Sequence, residues 1–429
     1  MEITRSLAEF AANPIVASDP ACRLTALSAL DWLAVGQAGA AEPVSGIVRG
    51  QALHEAGRQD ASVFGTSTRV PARMAALANG TISHALDYDD THFAHIGHPS
   101  VAVFPAALAT AQVQGSTLDD LLDAALVGME LSIRVGLWLG RDHYQGGFHQ
   151  TATAGAFGAA AAAARLMGLD ANQIAHVLGL TATRAAGLKA QFGTMGKPYN
   201  AGLAASAGVE AAQLVARGFD ANAHALEAPF GFGDTHMGQG DASAIEGLGE
   251  TWIFEAISHK FHACCHGLHA ALEAARALDI AAPELEALTV WTHPRWMTVC
   301  NQPAPTTGLG AKFSYITVMA MTALGYDTAR LDSYRDSICA DPRLAELRHR
   351  VTVRTDDALS ETAARVEILR RDGVRRDATH DLLAPMGLSE REGRVRTKAA
   401  ALIGAERALQ VWSVLNSHGT AQDLADQIT

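Results

Sequence analysis

Residues 285–294 read "LEALTVWTHP", followed further on by "HRVTVRTDD" (349–357) and "AARVEILRRDG" (363–373). In each, apolar residues alternate with polar or charged ones, as in a strand with one buried face. Between them lie two helical patterns, "TTGLGAKFSYITVMAMTALG" (306–325) and "PRLAELRHR" (342–350). Strands and helices mixed over one stretch describe a small α+β domain.

The chain on either side has a different texture. Most of residues 1–255 reads as helix. "STLDDLLDAALVGMELSIRVGLWLG" (116–140) opens on a Ser116/Thr117 cap, with acids in its first turn and apolar residues at helical spacing. "GLDANQIAHVLGLTATRAAG" (168–187) offers Asp170 as an N-cap with Gln173 three residues on. "AGAFGAAAAAARLMGL" (154–169) is a strong helix former that stops near a glycine. The tail "GRVRTKAAALIGAERALQVWSVLNS" (393–417) is helical again, so the α+β part can be an insertion. The expected fold class is mainly α, a large helical domain with an inserted smaller α+β lid.

Composition narrows the function. The 429 residues are 48% hydrophobic and 18% charged, enough to bury a core of more than one domain. Aromatics are only 6% and alanine is abundant, which favours closely packed helices. The net charge of −12 carries no basic stripe, so nucleic acid is not an expected partner. The five cysteines form no CxxC pair, and the N-terminus "MEITRSLAEFAANP" has no apolar signal core. Together these suggest a reducing, cytoplasmic setting with no membrane span. There is no GxGxxG, no GxxxxGK[ST] and no GxSxG, which leaves nucleotide-dependent and serine-hydrolase chemistry without support.

Four stretches concentrate proton-handling groups. "HALDYDDTHFAHIGHPSVAVFP" (84–105) holds four histidines and three aspartates. His92, His95 and His98 have the spacing of neighbouring helical turns, but Gly97 and Pro99 break a helix there. A metal cradle, a proton-handling site and a solvated polar loop are the three readings. No standard metal-ligand motif is matched. In "YQGGFHQTATAGAFGAA" (144–160), His149 stands at a helix N-terminus, where the dipole disfavours the cation and leaves a neutral base. A core histidine bonded to a carbonyl is the plain alternative. "QFGTMGKPYNAGLAASAG" (191–208) sets Lys197 in a glycine-rich turn, either to pair with a carboxylate or as an ordinary surface lysine. In "SHKFHACCHGLHAALEAARAL" (258–278), His262, His266 and His269 would share one helix face, with Lys260 just upstream. No zinc spacing fits there, and the HxxxH lacks the glutamate of a metalloprotease. Converging histidines and lysines would suit a substrate with two or three carboxylates and chemistry that builds negative charge beside one of them.

At these residues the chain resembles the MmgE/PrpD family. "NGTISHALDYDDTH" with "GHPSVAVFPAALA", then "GFHQTATAGAFGAA", "GTMGKPYNAGLAA", "HKFHACCHGLHAAL" and "TTGLGAKFSY" follow one another in the family's order. That family includes 2-methylcitrate dehydratase, cis-aconitate decarboxylase and iminodisuccinate epimerase. The resemblance implies a helical domain from residues 1–258 plus 393–429, a lid from 259–392, a homodimer, and catalysis without metal or organic cofactor. It implies catalytic roles for Asp87, His98, His149, Lys197 and Lys260. It implies substrate binding by Thr91, Lys197, Lys260 and Tyr315. The segment between Thr91 and His98 is one residue longer than in the decarboxylase. The reaction expected first is dehydration of a small hydroxy-polycarboxylate, with epimerisation or decarboxylation as alternatives from the same enolate-like intermediate. Outside the family, the histidine clusters leave a metal-dependent hydrolase as the rival.

Overall fold

A computed structural model describes residues 2–429. The chain is mainly α-helical. It divides into two compact units, one formed by Met1–His259 with Arg391–Thr429, the other by Lys260–Glu390.

The first unit is built on helices Ala72–Ser83, Ser100–Gln114, Leu118–Gln145, Gln150–Leu166 and Gly196–Val215. Their starts follow the sequence signals. Thr117 and Asp170 each close a capping box, with Asp120 and Gln173 as the reciprocal partners. His149 is the N-cap residue of Gln150–Leu166, which ends just before Gly168 at φ 67°. Small residues set how closely these helices cross. Ala159 to Ala164 are all fully buried. A Cβ on Gly202 would come within 2.3 Å of the Leu77 carbonyl oxygen, and one on Gly80 within 2.9 Å of the Gly202 Cα. Helices Ala72–Ser83 and Gly196–Val215 therefore meet backbone to backbone, and both lead into the site described below.

Two parts of this unit depart from the helical reading. A hairpin of β1 (Ala61–Val63) and β2 (Thr66–Val70) turns through Phe64 and Gly65. Leu388–Ile403, Ala405–Leu415 and Ala421–Ala425 are helical again, whereas between Val215 and His259 the chain holds only short turns, Phe232–Thr235 and the 3-10 segments Ala242–Ile245 and Ile253–Ala256. Glycines 218, 240, 247 and 249, all at positive φ, break any helix there. The buried Arg134 organises this irregular stretch. Its guanidinium is 2.6 Å from Glu130 and donates to the carbonyls of Ala244, Glu246 and Thr251.

The second unit carries a four-stranded sheet of β3 (Leu285–Thr292), β4 (Val351–Thr355), β5 (Ala363–Arg370) and β6 (Arg375–Asp381), in the order β4-β3-β5-β6. β3 runs parallel to β4 and antiparallel to β5. Burial alternates along β3 and β5, as their sequences imply. β6, "RRDATHD", has no such alternation, because it pairs only with β5 at the sheet edge and is largely exposed. The stretch 262–269 is not one helix. The α-helix begins at His269, after a 3-10 turn from His266 to Leu268, so His262 lies outside it.

Candidate active site

The site grows from the segment between two helices of the first unit. His84 ends helix Ala72–Ser83, and Ser100 begins the next. In between, Asp87 is held at φ 51°, a conformation rare for a residue with a Cβ. The following carbonyl, Tyr88, accepts a hydrogen bond from Lys398 Nζ at 2.6 Å. Lys398 reaches in from helix Leu388–Ile403 and is also 2.6 Å from Asp31, with all three residues buried. The end of the chain thus anchors the turn that presents Asp87.

The three aspartates of "DYDD" have three different environments. Asp87 is the most open, with a side chain 30% exposed, and pairs with Lys197 Nζ at 2.7 Å. Its other oxygen is 3.5 Å from His98 Nε2. Asp89 is fully buried and bridges two rings, accepting from His84 Nδ1 at 2.9 Å and from His98 Nδ1 at 2.7 Å. Burial opposes its ionisation, but His84 and then His98 hold its carboxyl well below the usual carboxylate range. Asp90 faces inward and accepts from Ser100 Oγ at 2.5 Å. Burial, and then the nearby Asp31, push its carboxyl up to about 7.

Lys197 stands one residue inside helix Gly196–Val215 rather than ahead of it. One turn further, Asn200 sits beside His149, its Nδ2 3.2 Å from Nδ1 of the ring. The backbone N–H of His149 donates to the Gly187 carbonyl, which fixes the entry into its helix. The three imidazoles are grouped. His84 lies 4.6 Å from His98 and 6.1 Å from His149, centroid to centroid. Burial lowers His149 well below the ordinary histidine value, and His84 and Lys197 add to the effect, so its neutral form prevails.

The structure thus brings together Asp87, His98, His149 and Lys197. Thr91 pairs its backbone with Ser258 in both directions, at 2.9 and 2.8 Å. Lys260 and Tyr315 belong to the second unit, where both are buried. The Tyr315 hydroxyl donates to the Gly267 carbonyl at 2.6 Å and lies 2.9 Å from Thr292 Oγ1. His92 and His95 are structural. His92 Nε2 donates to the Ile253 carbonyl, and burial takes its pKa to about 4. His95 is buried against the backbone of Gly136, and burial takes it to about 3. Three residues of this cluster, His84, Asp89 and Asn200, carry no assignment from sequence. His84 and Asp89 stand in the quoted His/Asp segment, and Asn200 is one helical turn from Lys197.

His84, Asp87, Asp89 and His98 offer ligand atoms within 4.8 Å of one another, a set that could in principle take a divalent ion. The bonds already made argue against that use. Both Asp89 oxygens accept imidazole N–H groups, and Asp87 is engaged by an ammonium that would repel a dication. The arrangement suits acid–base work next to a bound anion.

The N-terminal domain of the MmgE/PrpD family matches residues 5–245, and the C-terminal domain of the same family matches residues 262–406. The chain is 33% identical over 239 residues to a cis-aconitate decarboxylase of Aspergillus terreus, covering 52% of this chain and 49% of the relative. It is 31% identical over 256 residues to the cis-aconitate decarboxylase-like protein oryM of Aspergillus oryzae, covering 56% and 53%. It is 35% identical over 171 residues to human cis-aconitate decarboxylase, covering 38% and 35%. The chain spans about half the length or less of these curated relatives. No helix among the described residues is long and apolar enough to cross a membrane.

Proposed function

The chain belongs to the MmgE/PrpD family, and from that premise we propose that it is a lyase acting at a carbon beside a carboxylate of a small polycarboxylic acid. Decarboxylation of a cis-aconitate-like tricarboxylate is the reading favoured here. The sequence motifs put dehydration first, with decarboxylation as an alternative; the decarboxylase relatives favour decarboxylation. The observation that carries the proposal is the Lys197–Asp87–His98 chain at the accessible edge of a buried histidine cluster.

In this mechanism Lys197 exchanges Asp87 for a substrate carboxylate. The C–CO₂⁻ bond breaks, carbon dioxide leaves, and the electron pair stays on a carbon conjugated with a remaining carboxylate. The ammonium of Lys197 stabilises the enolate-like charge, and His98 delivers a proton to carbon from Nε2. Preorganised donors of this kind are each worth about 10²–10³-fold in rate. Asp87 holds Lys197 in place before substrate arrives and orients His98. Family resemblance also gives Thr91, Lys260 and Tyr315 substrate-binding roles. It gives the enzyme a homodimeric state and no cofactor.

Incubation with cis-aconitate in deuterium oxide tests the reading. Release of one carbon dioxide per substrate, with one deuterium placed on carbon, is the expected result. Loss of water from a hydroxy acid would restore the dehydratase reading. Exchange into a chiral acid without net loss would indicate an epimerase. No turnover across citrate-, aconitate- and aspartate-like acids would remove the proposal.

A further inference from the structure

We propose that Asp89 and Asn200 are positioning residues that hold the two site histidines in opposite tautomers, and so divide their roles. The inference rests on the functional reading above only for what the roles accomplish. The tautomers follow from the hydrogen bonds.

A carboxylate accepts and never donates, so a ring nitrogen bonded to ionised Asp89 must carry hydrogen. His98 Nδ1, 2.7 Å from Asp89 Oδ2, is therefore protonated. Nε2 becomes the atom that loses or gains the second proton, on the side of the ring that faces Asp87. A buried negative carboxylate behind Nδ1 also supports the imidazolium whenever it forms, as in any carboxylate–histidine pair. His84, bonded through its own Nδ1 to the other oxygen of Asp89 at 2.9 Å, keeps that carboxylate from rotating away.

His149 has the reverse arrangement. Its Nδ1 faces the Asn200 amide nitrogen at 3.2 Å. The same Nδ2 donates to the Leu188 carbonyl at 3.3 Å, which settles the amide orientation, because a flipped amide would set oxygen against oxygen. Nδ1 of His149 thus accepts, and the neutral ring carries its proton on Nε2. A neutral imidazole with Nε2–H is a hydrogen-bond donor and not a source of protons, since giving that proton up would leave an imidazolate. His98 is then the group that moves a proton, and His149 is a fixed donor to developing negative charge.

Nitrogen-15 NMR of the imidazoles in the full-length protein tests this directly, with resonances assigned through His98→Gln and His149→Gln. Between pH 6 and 8, His149 is expected to show a bare Nδ1 and a protonated Nε2 throughout. His98 is expected to keep Nδ1 protonated throughout. Asn200→Asp, similar in volume but an acceptor, should move the His149 proton to Nδ1 and lower kcat about 10²-fold. Asp89→Asn should lower kcat by about 10²–10⁴-fold. A protonated Nδ1 on wild-type His149, or a His149 tautomer unchanged in Asn200→Asp, would overturn the inference. The expected spectra with no carboxylic acid turned over would leave the tautomers standing and sink the functional reading instead.

Discussion

Two stretches of this protein are rich in histidine, and the fold uses them in opposite ways. In 84–98, His84 and His98 share a buried carboxylate, and His98 opens toward Asp87 and Lys197. In 262–269, His262 and His269 tie down their own unit. His262 joins Thr328 Oγ1 at 2.6 Å and Glu273 Oε1 at 3.1 Å, and His269 Nε2 meets the Cys264 carbonyl at 3.3 Å. Histidine density alone is therefore no guide to chemistry. What separates the two regions is one buried carboxylate shared by two imidazoles, the second of which also faces the Lys197–Asp87 pair.

The comparison breaks most visibly at Lys197 and His149. Lys197→Ala and His149→Gln should each lower kcat/KM about 10³-fold while circular dichroism stays unchanged. Full activity in both would place the chemistry elsewhere. Next in size is the helix crossing that delivers Lys197 and Asn200 to the histidines. Gly202→Val would drive side-chain atoms into the Leu77 carbonyl and should cost about 1–3 kcal/mol in denaturant unfolding. His262→Gln sharpens the contrast from the other region. It should destabilise by about 1–2 kcal/mol, through the lost bonds to Thr328 and Glu273, and leave turnover intact.

A smaller effect concerns pH. Asp90 has a folded pKa near 7, above its unfolded value near 3.8, so the folded state binds more protons between those limits. Its contribution to stability is present below the unfolded pKa and is lost as pH rises toward 7. Asp90→Asn should flatten the fall in Tm from pH 5 to 7, and an unchanged slope would contradict the assignment. The smallest expected effect is none: dialysis against a chelator should leave turnover unchanged, because the carboxylates of the His/Asp cluster are already engaged by N–H groups and by Lys197.

Much of this arrangement was legible in the sequence, and the parts that were not share a cause. Strands β3, β4 and β5 and the capped helices announce themselves, because alternation, helical spacing and capping boxes are local signals. The Gly-broken stretch after Val215 and the edge strand β6 do not, since neither buries a periodic face. Read alone, the segment 84–105 fits a metal cradle, a proton handler or a polar loop. Its three aspartates are near neighbours in sequence, yet one pairs with Lys197, one bridges two histidines and one caps a buried helix start.

By itself the sequence determined the mainly α character, the α+β texture of the second unit and the residue types available for acid–base work. These depend on contacts between near neighbours along the chain. Only the tertiary structure decided that His98 answers to Asp89, that His149 answers to Asn200 and that Lys398 anchors the turn at Asp87. Those partners are set by helix crossings and buried charge pairing between segments up to 310 residues apart, and a hydrogen bond at that separation leaves no periodic trace in the chain.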